Sequence, residues 1–175
     1  MNLWLRMLVT FLRSSLRRRC GIDATSTMDF VVWPWEAEWK VISHASLLVL
    51  LDMARQDHMQ RTGVLPLMLK HRWFLPVAAV QVSFRRPVLR LDRITVTTRV
   101  PFWNDRDILI EHEVLRGGKL MATSIVRAVI KEGRDTVDPR GVVAALGGGA
   151  VDEAAAARLR SLMEVERMTT PGSTN

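Results

Sequence analysis

WPWEAEWKVISHASLLVLLDMARQD, residues 33–57, changes character in its middle. Its first third alternates Trp and Glu; a Ser43-His44-Ala45-Ser46 step then opens a long apolar run broken by Asp52 and Arg55. From Ala45 to about Thr62 the pattern is helical. Leu48, Leu51, Asp52 and Arg55 recur at spacings of three or four, and Gly63 stands where a helix C-cap belongs. The near all-round apolarity of SLLVLLDMA predicts a helix wrapped by other structure. Asp52, Arg55 and His58 inside it rule out a membrane span. The carboxylates ahead of this helix have two readings. Glu36 and Glu38 are either solvated rim charges or groups held in a cleft walled by Trp35 and Trp39.

Working outward, residues 29–33 read as a short strand that Pro34 breaks. After Pro76 the period switches to two. Val80, Val82 and Phe84 alternate with Gln81, Ser83 and Arg85; Ile94, Val96, Thr98 and Val100 alternate with Thr95, Thr97 and Arg99. A third set, Ile108, Ile110, His112 and Val114, ends at the hairpin signal Arg116-Gly117-Gly118-Lys119. Residues 122–130 form a fourth, β-branched run. Short connections favour antiparallel neighbours. The order predicts an α+β domain, a five-stranded antiparallel sheet curled around one long helix. Such a sheet leaves an open edge, and a homodimer or homotetramer is the expected way to pair it. LGGGA at 146–150 reads as a linker, 151–167 as a terminal helix, and 169–175 as a disordered tail.

The net charge of +7 suggests nucleic acid until it is located. Arg6, Arg13, Arg17, Arg18 and Arg19 supply five of those charges with no acid before Asp23, leaving two for the rest of the chain. No nucleic-acid partner is expected from so neutral a body. Residues 1–19 make an amphipathic helix, with Arg6, Thr10, Arg13 and Arg17 opposite Leu3, Trp4, Met7, Leu8, Phe11 and Leu12. That pattern suits an anionic membrane surface, and equally a terminal helix docked on its own domain. The single cysteine, Cys20, excludes an internal disulfide and fits a reducing, cytoplasmic compartment. Neither it nor His44, His58, His71 and His112 shows metal-ligand spacing, and no cofactor is expected.

Attack on a carbonyl needs a carboxylate near the carbon and donors for the developing oxyanion. A helix N-terminus supplies unpaired N–H groups and a favourable dipole. The run from Glu38 to Ser43, His44 and Ala45 offers both. The backbone N–H groups of Ser43 and His44 are the candidate oxyanion donors, with the His44 side chain a weaker candidate base. Arg85 and Arg86 could grip substrate phosphates, although alternation sends them to opposite faces. Asp52 and Arg55 lie three apart on one helix face and pair with each other or with a neighbouring subunit on this reading.

These motifs resemble the hot-dog fold acyl-CoA thioesterases, in particular a thioesterase-like branch related to 4-hydroxybenzoyl-CoA thioesterase-type proteins. The likeness covers about residues 28–138. It is carried by VVWPWEAEW, VISHASLLVLLDMARQD, QRTG, VSFRRPV and the Trp103-Asn104-Asp105 turn. Pro34-x-Glu36-x-Glu38 stands where members carry Pro-x-Asp-x-Asp, and the second acid there is nucleophile or general base. The resemblance therefore gives Glu38 that role, with Glu36 the fallback; another hot-dog branch uses a carboxylate from the helix itself, which implies Asp52 and Asp57 as minor catalytic candidates. It implies a segment 1–27, a hot-dog domain 28–146 and a tail region 147–175. It also implies an acyl-CoA or acyl-carrier-protein substrate. The rival expectation is a non-catalytic acyl-CoA or acyl-chain binding protein on the same scaffold.

Overall fold

A computed structural model describes residues 3–149 and 151–169. The helix expected from Ala45 runs His44–Thr62 (α2; the N-terminal helix Leu3–Ser15 is α1). Its caps are written in the sequence. The Ser43 hydroxyl accepts from the Ser46 N–H at 3.1 Å, and Gly63 ends the helix at φ 85°, which glycine adopts without a Cβ clash. Leu47, Leu50, Leu51, Met53 and Ala54 are buried along α2. Each of the larger ones contributes about 2 kcal/mol on burial.

Around α2 curls the predicted sheet. Its strands are β1 (Ser26–Val31), β4 (Val77–Phe84), β5 (Arg93–Trp103), β6 (Asp107–Arg116) and β7 (Lys119–Glu132), the labels β2 and β3 falling to a small hairpin described below. They pair antiparallel in the order β1-β5-β6-β7-β4. Gly117 and Gly118 close the β6–β7 hairpin with φ of 53° and 76°, the two positive values a tight hairpin turn requires. β1 begins three residues earlier than the sequence indicates, so the boundary expected after residue 27 falls inside a strand.

Beyond the acidic turn and its small hairpin, α3 (Val64–His71), the short β8 (Asp135–Val137) paired with β7, and α4 (Pro139–Ala145) were not read from the sequence. The terminal helix α5 spans Glu153–Thr169. It packs Ala155 and Leu159 on Leu109, whose side chain leaves β6 on the face opposite Ile108 and Ile110, so α5 covers the outer side of the sheet. The expected linker is not a free spacer. Gly148 sits so close to Ile22 and Val143 that an added Cβ would approach their methyls to 2.3 and 2.7 Å. The expected tail lies, beyond Thr169, outside the described residues.

α1 docks on α2 with its polar side inward. Arg6, Thr10 and Ser14 are buried, while Leu8, Phe11, Leu12 and Leu16 face out. The Ser14 hydroxyl donates to buried Asp57 at 2.7 Å and Arg17 donates to the same carboxylate at 3.0 Å, with Arg61 3.6 Å away. This corrects Asp57 as a catalytic candidate: it anchors α1. Asp52 pairs with Arg55 at 3.1 Å, as its helical spacing indicates.

A polar belt crosses the core under α2. Register places Ser26, Thr98, His112 and Ser124 side by side on four adjacent strands, all buried. His58 of α2 lies over one end, its Nδ1 3.2 Å from Ser26 Oγ, and Thr98 Oγ1 is 2.9 Å from His112 Nδ1. His58 Nε2 and Ser124 Oγ have no partner among the described residues. Burial pushes the His58 imidazole down to about 4, helped by Arg61 and opposed by Asp57. Burial, with Arg55 and His58 adding repulsion, takes His112 to about 3.

Candidate active site

Pro34 decides the geometry of the acidic pair. It closes the strand and starts a single 3-10 turn, Pro34–Glu36, before a two-residue hairpin of β2 (Ala37–Glu38) and β3 (Val41–Ile42). Strand alternation predicts both glutamates on one face; the turn separates them. Glu36 swings inward and is buried, whereas Glu38 stays exposed. Trp39, expected as a wall of the cleft, is 96% exposed and occupies the hairpin turn at φ 59°. The wall is made instead by Trp33 and Trp35, stacked with ring centroids 5.2 Å apart and an interplanar angle of 5°.

Glu36 lies in a pocket of about 260 Å³ with Arg6, Trp33, Trp35, Ala45, Ser46 and Val49. The pocket therefore joins the acidic turn to the first turn of α2. Two bonds fix the carboxylate: Arg6 donates to Oε1, and the Trp33 N–H donates to Oε2 at 2.8 Å. Burial pushes the Arg6 guanidinium below its usual range, and the charge of Glu36 opposes that shift. A carboxylate has about four lone-pair sites, so two remain for a water or a substrate. The Glu36 carbonyl also accepts from the Ser43 N–H at 2.8 Å, tying the turn to the helix start. That bond occupies one expected oxyanion donor. The N–H groups of His44 and Ala45 take no acceptor among the described residues and are the donors left at this end of α2.

The remaining candidates are dispersed. The His44 ring is exposed and meets Phe84 edge-on at 5.0 Å, outside the Glu36 pocket. Arg85 and Arg86 are exposed where β4 ends, and both backbone N–H groups bond to the Met121 carbonyl. Arg6 is the site residue that sequence reasoning missed. Its only local signal is a polar position on an amphipathic helix, and its partner lies thirty residues along the chain. No helix among the described residues is long and apolar enough to cross a membrane.

A sheet curled round one buried helix is the hot-dog architecture, and solved thioesterases of that class superpose on this chain. The probable thioesterase YbaW of Escherichia coli matches at a TM-score of 0.65 and 17% identity, over 72% of this chain and 98% of its own. A Thermus thermophilus thioesterase, solved with coenzyme A and zinc, matches at 0.61 and 23%, over 71% and 96%. Residues 31–146 match the model of the Thioesterase-like superfamily, and the chain belongs to that family. A probable thioesterase of Saccharomyces cerevisiae is 24% identical over 147 residues, which cover 79% of this chain. The match spans 64% of the yeast protein's length.

Proposed function

We propose that the protein hydrolyses acyl thioesters at the junction of the Pro34–Glu36 turn and the start of α2. One observation carries the reading. A buried carboxylate, Glu36, shares a pocket with the first turn of a helix whose His44 and Ala45 N–H groups take no acceptor among the described residues. The thioester carbonyl oxygen lies against the His44 and Ala45 N–H groups, which stabilise the negative charge that develops there. Glu36 either takes a proton from the attacking water and passes it to the departing thiolate as the C–S bond breaks, or attacks the carbonyl carbon and expels the thiolate to leave an anhydride that water then hydrolyses. Arg6 and the Trp33 N–H hold its orientation. Trp33 and Trp35 keep bulk water off the reacting carbon. Glu38, the acid that the family resemblance selects, has the competing claim. Family membership supports the reaction class.

The substrate is an acyl-CoA or an acyl-carrier protein, and two copies pair through the open edge of β4, where Val77, Val80 and Phe84 are exposed. The outward face of α1, with Arg18 and Arg19 following it, rests on an anionic membrane surface. A thiol-release assay over acyl-CoAs from short to long chain tests the hydrolase reading. Turnover that peaks at one chain length supports it. No release at any length, together with acyl ligand carried through purification, would establish the binding-protein alternative.

A further inference from the structure

Two large apolar side chains are presented to solvent from strained backbone. Trp39 turns the β2–β3 hairpin at φ 59° and is 96% exposed; Leu91 sits at φ 66° and is 61% exposed. The left-handed region strains a bulky residue, whereas glycine or asparagine takes it readily. Arg72, the remaining non-glycine residue at positive φ among the described residues, caps the end of α3. At Trp39 and Leu91 the turn explains the conformation and not the side chain, which gains no burial in return. Strain of this kind points to a use.

The two positions belong to one patch. The Arg90 N–H donates to the Lys40 carbonyl at 3.0 Å, Val41 bridges to Leu89, and the Leu91 N–H donates to the Val32 carbonyl at 2.7 Å. The hairpin tip and the 89–92 turn therefore stand side by side, with Val41 and Leu89 also exposed. Asp92 builds the turn from inside: its buried carboxylate accepts from the Leu89 N–H at 2.8 Å and takes Arg116 at 3.2 Å. Exposed charge here is mostly positive. Lys40, Arg90 and Arg93 stand against Glu38, and Arg93 shares a hollow of about 500 Å³ with Arg13 of α1 and with Asp29. Four exposed cations thus meet two exposed acids. β1 and β4 are opposite edges of the sheet, and the patch adjoins the end of β1 and the start of β5. Two copies that pair through β4 leave it uncovered.

We propose that this patch is a lipid contact separate from α1, in which Trp39 and Leu91 enter the interfacial layer of an anionic bilayer and Lys40, Arg90 and Arg93 meet its headgroups. An indole suits that depth because its body is apolar and its N–H still reaches water or a headgroup. Cations around apolar tips match a negatively charged lipid surface. A side chain that stands clear of its neighbours at a hairpin tip enters a soft medium more readily than it fills a groove. The contact is independent of the hydrolase reading and of the outward face of α1. It holds the Glu36 pocket beside the lipid, since Trp39 follows Glu36 by three residues.

Sedimentation of the full chain with vesicles of phosphatidylcholine, with and without phosphatidylserine, tests the assignment. Trp39→Gly, Leu91→Asn and, on α1, Phe11→Ser are compared with wild type. Glycine and asparagine accept the left-handed backbone, so the two patch variants fold. Wild type is expected to bind the mixed vesicles, and added salt to weaken the binding. Each patch variant should bind about tenfold more weakly, the size of one large apolar side chain partly withdrawn from water. The emission of Trp39, read as the difference between wild type and Trp39→Gly, should shift to the blue when mixed vesicles are added. The proposal is overturned if wild type binds no vesicles, if phosphatidylserine makes no difference, or if that difference emission stays unshifted. It is overturned as well if the patch variants bind like wild type while Phe11→Ser alone loses binding, which leaves α1 as the contact. A smaller oligomer by light scattering for either patch variant would overturn it too, by making the patch a contact between copies.

Discussion

Acidification from about pH 7 to about pH 5 acts on the polar belt under α2. His58 and His112 have folded-state values of about 4 and about 3, both below the ordinary 6.5. Between those values and 6.5 the unfolded chain binds protons that the folded chain refuses. Stability therefore rises with pH through this window and is lost as pH falls through it. At about pH 5 each histidine withholds nearly a full proton, a loss of about 2 kcal/mol apiece relative to pH 7. Together that is about 4 kcal/mol, a large share of the 5–15 kcal/mol that typically holds a domain folded. Burial sets most of the size; Arg61 adds to the shift at His58 and Asp57 opposes it, while Arg55 and His58 add to the shift at His112. Urea unfolding at both pH values measures the loss, and His58→Gln isolates one half of it, since glutamine keeps a polar contact to Ser26 without titrating. The variant is expected to lose about 2 kcal/mol less than wild type over the same interval. Equal pH dependence in the two proteins would refute the reasoning, as would an imidazole of His58 that titrates near 6.5 in the folded state by NMR.

Three further outcomes can be checked directly. Trp39→Gly relieves a positive φ at an exposed side chain and should raise the free energy of unfolding by about 1 kcal/mol in urea titration. Gly148→Ala drives a Cβ into the branched side chains of Ile22 and Val143 and should cost about 2 kcal/mol by the same measurement. Light scattering at micromolar concentration should give at least a dimer, and lysine at Val80 on the exposed β4 edge should shift it toward monomer.

What could be read from sequence was what neighbours in sequence determine. α2 carries its caps at Ser43 and Gly63, the strands carry their alternation, and the Gly117-Gly118 turn has its own chemistry. α4 was legible in principle, since Asp138 caps it and Pro139 fills its first position, the order in which helices start. α3 was hidden because Gly63 reads as a terminus and Pro66 as a breaker, although proline costs little in a first turn. The docking of α1 was not legible. Amphipathic reasoning sends an apolar face inward, and here Glu36 and Asp57 draw the polar face in through ion pairs with Arg6 and Arg17. The site shifted for a local reason. Reading the glutamates as strand residues puts Glu36 and Glu38 on one side, and the 3-10 turn at Pro34 divides them.

The central claim is that the carboxylate beside the helix start performs the chemistry. Single-turnover thiol release from an acyl-CoA, with substrate binding measured alongside, compares wild type with Glu36→Gln and Glu38→Gln. Circular dichroism confirms that each variant is folded at the assay temperature. Glutamine keeps the shape and can still accept from Arg6, but it neither attacks a carbonyl nor takes a proton. The account predicts that Glu36→Gln loses at least about a hundredfold in rate while binding stays near wild type, and that Glu38→Gln remains active. Loss confined to Glu38→Gln, or full activity in both variants, would contradict it.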